Sequence, residues 1–179
     1  GDFNFTAYTI DLTKYHRIKP ISLAARAYTY MRVGSGEDKL YPLYVGYPFL
    51  IRGYESASFY NNNGNLNSGY NLNQLMGSRI AVLNLEARLP FTGPEKLAAI
   101  KSGLLFSDLN IFFDMGLRWS GGDKIAFKKD PDIIGQITNP DGSTVNVYER
   151  VPAMSAGVSL RVNIFGYFVL EPYYAVPFN

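Results

Sequence analysis

The chain has 179 residues, and its 17 lysines and arginines against 15 aspartates and glutamates leave a net charge of +2. That is enough length for one domain with a sizeable core, and it offers no electrostatic case for nucleic acid. There is no cysteine and one histidine, His16, which excludes a disulfide framework, a thiolate nucleophile and cysteine or multi-histidine metal centres, so neither metal nor cofactor is expected.

Aromatic residues make up 15%, mostly 14 tyrosines and 12 phenylalanines, a bias suited to surfaces that are apolar on one side and wet on the other. No apolar run approaches the roughly 18 residues of a spanning helix, so a membrane could be crossed only by strands. The opening Gly1-Asp2-Phe3 has no basic region ahead of an apolar stretch, and no signal peptide is expected within these residues.

The dominant hydrophobic period is two, which predicts an all-β chain. In the first segment Tyr8, Ile10 and Leu12 alternate with Thr9, Asp11 and Thr13. In the second Leu23, Ala25, Ala27, Met31 and Val33 oppose Arg26, Tyr28, Tyr30 and Arg32. The third sets Ala81, Leu83, Leu85, Ala87 and Leu89 against Ile80, Val82, Asn84, Glu86 and Arg88, and ends at Pro90. The fourth is the longest unbroken one, with Leu109, Ile111, Phe113, Met115, Leu117 and Trp119 against Asn110, Phe112, Asp114, Gly116 and Arg118. A fifth over Ser155 to Asn163 and a sixth over Phe168 to Val176 repeat the scheme.

Such alternation fits either a soluble sheet with its apolar face inward or a membrane barrel with its apolar face toward lipid. Length favours the barrel, because soluble strands average five or six residues and tilted spanning strands about 9 to 11. The charged second face, with Arg26, Glu86, Arg88, Asp114, Arg161 and Glu171, also suits a wet lumen. The connections alternate too. Lys14 to Ile21 and Ile164 to Tyr167 are short, whereas about 34–77 and about 120–152 are long, as in barrels with short periplasmic turns and long external loops.

Between them, Gly93-Pro94-Glu95-Lys96 and the residues to Ile100 predict one short helix. Phe59 to Met76 holds seven asparagines and no charge, which reads as an external loop. Asn139-Pro140-Asp141-Gly142 predicts a hairpin above the neighbouring strands.

Catalytic readings are weak. Gly34-Ser35-Gly36 lacks the third glycine and helix of a phosphate loop. His16, beside Arg17 and Lys19 in a short turn, reads as solvated. Glu86 and Asp114 each share a polar face with an arginine, Arg88 and Arg118, which argues for ion pairing rather than acid–base work. The chain is read as non-enzymatic, with no catalytic residues.

Ile51-Arg52-Gly53-Tyr54 lies inside the first long loop. It is followed by Leu85-Glu86-Ala87-Arg88-Leu89-Pro90 and by Phe112-Phe113-Asp114-Met115-Gly116, an F-x-D-x-G strand. Together, in this order, they resemble the bacterial surface-antigen barrel superfamily, which includes the outer-membrane assembly insertase and the two-partner secretion transporters. The resemblance covers most of the chain, from about Tyr8 to Tyr174.

It implies that the loop folds back into a barrel lumen, that Arg52 reaches Asp114 with Glu86 nearby, and that Phe112 and Gly116 belong to the anchoring strand. Gly53 would permit close approach or positive φ, and Tyr54 would pack on the lumen wall. It further implies residence in the bacterial outer membrane, contact with outer-membrane lipid, and work on client outer-membrane proteins or secreted polypeptides.

The family barrel has about sixteen strands, whereas six are readable here and about eight are needed to close around a filled interior. The whole of 1–179 is therefore expected to be a C-terminal part of a larger barrel, without the family's last strand, and the isolated piece is expected to self-associate through its strand edges. Two other readings compete. The barrel could serve only as the membrane anchor of an upstream domain, or the chain could be a soluble β-barrel or sandwich that binds a hydrophobic ligand.

Overall fold

The computed structural model describes residues 4–55, 72–96, 98–103, 105–122, 132–148 and 152–178. Its long strands are β1 (Thr6–Ile18) and β2 (Ile21–Val33) and, after two short pieces, β3 (Leu43–Tyr44) and β4 (Met76–Gly77), the strand β5 (Arg79–Gly93). A bridge β6 (Ile100–Lys101) precedes β7 (Leu105–Trp119). A hairpin of β8 (Ile133–Thr138) and β9 (Thr144–Tyr148) leads to β10 (Ala153–Ile164), followed by β11 (Phe168–Leu170) and β12 (Tyr173–Phe178).

The chain is all-β. Its main sheet runs β1-β2-β5-β7-β10 with β11 and β12 both on the far side of β10; these strands are antiparallel neighbours and the sheet is curled into a half-barrel. Strands of 13, 13, 15, 15 and 12 residues exceed the usual five or six by more than twofold.

The strand pairing aligns the alternation of every strand. Arg26, Asn84, Asp114 and Ser155 stand opposite one another in a row on the concave face, and Ala25, Leu85, Phe113 and Ala156 form the neighbouring row on the convex face. The usual burial is inverted. On the convex face Ile10, Leu12, Ile111, Val158 and Tyr174 are exposed, Ile111 by 63%, while Asn110, Asp114 and Ser155 on the concave face are 0% exposed. At the long-loop end the convex side chains Leu117 and Trp119 are buried.

The apolar core lies against the concave face. Val45, Leu50, Ile51, Tyr54 and Leu75 of the first long loop pack on Ile80, Val82 and Ala153, with Tyr28 and Tyr30 of β2 and Ile137 and Val145 of the hairpin around them. The loop thus fills the curl of the sheet.

Four elements differ from the sequence expectation. β1 continues through Lys14 and His16 to Ile18, so His16 is in a strand and not in a turn. Two polar side chains on the convex register hid the continuation. No helix forms among the described residues of 93–100. β5 passes Pro90 with a register shift before Thr92, a bulge that accommodates a residue without an N–H, and then Ile100 and Lys101 bridge Thr92 and Gly93 in parallel. Backbone bonds from Ala99 to Pro90 and from Ser102 to Gly93 hold that return.

The sixth strand is broken at Glu171-Pro172 into β11 and β12, both still paired with β10. The hairpin at Asn139 to Ser143 closes with Gly142 at φ +83° and the Asp141 carboxylate accepting from the Ser143 amide at 2.9 Å. Most of the asparagine-rich stretch lies outside the described residues.

Candidate functional site

The site is built where the first long loop meets the concave face. The Leu50 and Ile51 amides both donate to the Tyr47 carbonyl, at 2.7 and 2.9 Å, so Tyr47 to Ile51 turn tightly. That turn leaves the Phe49 and Leu50 carbonyls facing the sheet. Phe49 O accepts from Arg26 Nη1 at 3.1 Å and Leu50 O from Asn84 Nδ2 at 2.7 Å. Arg26 is itself held by both oxygens of Asp11, each at 2.9 Å.

Arg52 follows at the centre. Its Nε and Nη2 donate to the two oxygens of Asp114 at 2.7 and 2.8 Å, and its backbone amide donates to Asp114 Oδ2 at 3.1 Å. Nη2 also lies 3.0 Å from Glu86, and Nη1 3.8 Å from Glu171. The guanidinium carbon sits 3.5 Å above the Phe112 ring centre, which adds a cation–π contact. Glu86 takes a second arginine, Arg88, at 2.6 Å. Asp114 takes its arginine from the loop, whereas Arg118 donates to the Gln74 carbonyl at 2.7 Å.

Two glycines and one tyrosine shape the seat. A Cβ on Gly116 would stand 2.1 Å from Ile51 Cδ1 and 2.9 Å from Val45 Cγ2, so any larger residue must displace these buried loop side chains. Gly53 has φ +90° and would bring a Cβ within 3.1 Å of Ala175, so both conformation and space call for glycine. Tyr54 reaches further than the sheet wall beneath it. Its hydroxyl donates to Met154 O at 2.7 Å and accepts from the Met154 amide at 3.1 Å, and its carbonyl accepts from the Tyr44 hydroxyl.

Burial pushes the Tyr54 hydroxyl up to about 12 despite its backbone bonds to Met154 and Phe178. Burial, with the nearby Tyr47 and Glu55, does the same to Tyr44. For Arg52, burial alone would lower the pKa, but the hydrogen bonds and charge of Asp114, with Glu86, raise it, so the cation persists.

All eight residues singled out in the sequence, Ile51, Arg52, Gly53, Tyr54, Glu86, Phe112, Asp114 and Gly116, meet here. Sequence reasoning missed Asn84, which donates to both Asp114 and Leu50 O, and missed Arg26 as a partner of the loop backbone. Both lie in the same cross-strand row as Asp114, a signal that strand pairing alone would have supplied. Glu171 was placed on the polar face but not at the loop. The arrangement binds one loop to five strands, from Arg26 on β2 through β5, β7 and Met154 on β10 to Phe178 and Tyr173 on β12. Beneath it lies a cavity of about 400 Å³ lined by Tyr15, Arg26, Phe49, Arg88, Glu171 and Tyr173.

Compared with known proteins, the chain matches no family model, no curated protein and no solved structure.

Proposed function

We propose that this chain is part of a transmembrane β-barrel of the bacterial outer membrane, of about sixteen strands, whose first long loop braces the lumen, and that the barrel serves assembly of outer-membrane proteins or passage of polypeptide. The observation that carries the reading is the inverted burial. Exposed Ile10, Leu12, Ile111 and Val158 on the convex face, with Asp114 and Asn110 fully enclosed on the concave one, suit lipid outside and a polar lumen inside. A soluble sheet would place the first set in its core. The half-barrel curl and the long strands support the same reading, and the open edges of the sheet support completion by further strands. Work on client proteins or secreted polypeptides rests on the resemblance carried by Arg52-Gly53-Tyr54 and Phe112 to Gly116.

The test uses the absence of cysteine. Single cysteines at Leu12, Leu160 and Tyr174, and at Thr9 and Thr13, both exposed on the concave side of β1, are labelled with an environment-sensitive probe in vesicles. The first three are expected to report lipid and the last two water. Equal wetness of both sets overturns the membrane reading. For the role, vesicles carrying the complete parent protein are expected to accelerate barrel insertion or polypeptide passage, and no acceleration rejects it.

A further inference from the structure

The convex face is not uniform. Across β1, β2, β5, β7 and β10 lies an open trough of about 610 Å³, within the roughly 300–1,000 Å³ of small-molecule sites. Two adjacent cross-strand rows line it, and between them pass Ala24, Glu86 and Phe112, whose side chains the register assigns to the concave face, where Glu86 is paired with Arg52 and Arg88. One runs Lys14, Ala25, Leu85, Phe113, Ala156, and the next His16, Leu23, Ala87, Ile111. The alanines at 25, 87 and 156 lower the surface between the larger Leu23, Leu85, Ile111 and Phe113, which gives the trough its depth.

Each row is apolar along its length except at its first member. Those two, Lys14 and His16, are exposed neighbours on one strand. The floor of the trough is therefore apolar, and Lys14, the one cation among the residues that line it, stands at its β1 end. From β1 to β10 are four strand spacings of about 4.8 Å each, so it is about 19 Å long. One leaflet of acyl chains spans roughly 15 Å.

We infer that this trough holds one anionic phospholipid, with an acyl chain laid across the strands over Ala25, Ala87 and Ala156 and the headgroup phosphate at Lys14 and His16. The inference rests on the membrane-facing reading of the convex face. A free phosphate has no use for the apolar floor, and a wholly apolar chain has none for the lysine. Only a molecule with both parts matches the full length of the trough.

Native mass spectrometry of the full chain in neutral detergent micelles, doped with phosphatidylglycerol or with phosphatidylcholine of the same acyl chains, tests it. One phosphatidylglycerol is expected to stay bound, in about fivefold excess over phosphatidylcholine, the effect of one lysine at an anionic surface. Lys14→Gln is expected to bring phosphatidylglycerol down to the phosphatidylcholine level, and Ala87→Phe to remove both. Inorganic phosphate is expected not to compete. Lys14 is exposed on an edge strand, so its variant keeps the test readable even where Ala87→Phe disturbs the sheet. Equal retention of both lipids, unchanged by Lys14→Gln, overturns the inference. If that happens while probes at Leu12 and Leu160 report lipid, the trough alone is rejected; if those probes are wet, the membrane reading falls with it.

Discussion

Arg52 and Asp114, far apart in sequence, are joined by three hydrogen bonds of 2.7 to 3.1 Å, two from the guanidinium and one from the Arg52 backbone amide. The carboxylate is fully enclosed. Such a pair adds little over an apolar substitute, but losing one partner strands the other charge. Arg52→Ala and Asp114→Ala are each expected to destabilise the docked loop by about 3–5 kcal/mol. Arg52→Lys fails to restore it, because an ammonium lacks the planar fork. Limited proteolysis within the first long loop checks this: unchanged cleavage in both alanine variants refutes it. The double variant should cost less than the sum of the two, since neither charge is then left alone.

Gly116 and Ile51 form the second contact that holds the loop. Gly116→Ala places a methyl group where Ile51 Cδ1 now stands, 2.1 Å away, so the isoleucine must move. The expected cost is about 1–3 kcal/mol, typical of overpacking. Adding Ile51→Val to Gly116→Ala should recover part of it. A denaturant titration with a loop-specific probe measures both, and additive costs would refute the direct clash.

Alkaline pH should release the loop. The Tyr44 and Tyr54 hydroxyls titrate near 10.0 when free and at about 12 when docked. The docked state therefore holds its protons more tightly. Its advantage is complete below pH 10 and declines as pH rises through about 12. Spectroscopic titration of tyrosinate should show a late phase that shrinks in Tyr54→Phe and again in Tyr44→Phe. Loss of neither late-titrating group in these variants counts against burial as the cause.

On the proposal that the convex face meets lipid, the two faces of the sheet should pay unequal costs for a charge. Val158→Arg, on the convex side, is expected to cost about 2–4 kcal/mol in a bilayer if it lies near the midplane. Thr13→Arg, on the concave side, should cost well under half as much, because its charge enters the open cavity beneath the loop, whose lining includes the carboxylates of Glu86 and Glu171. Folding into vesicles, followed by denaturant extraction, compares them. Equal penalties would remove the distinction between a lipid face and a lumen face.

The sequence by itself determined the strands and their two faces. An alternation such as that from Leu109 to Trp119 has only one periodicity it can satisfy, and it assigns each side chain to a face without knowledge of neighbours. The same local logic located the turn at Asn139 to Gly142. It failed where local and paired signals disagree. Lys14 and His16 concealed the last part of β1, Glu171-Pro172 concealed a break, and Pro94 with its helix-forming followers suggested a helix that strand return displaced.

What only the tertiary structure decided was which face is enclosed and who meets whom. Periodicity is symmetric between inside and outside, so it cannot say whether Ile111 or Asp114 is buried. Curl and the loop decide that, because a loop that brings its own apolar residues, Ile51 and Leu50, to the concave face encloses the polar row beneath it. Likewise Asn84 and Arg26 acquire their roles only through register, since a side chain's partners across a sheet depend on pairing between strands distant in sequence, a property no short segment contains.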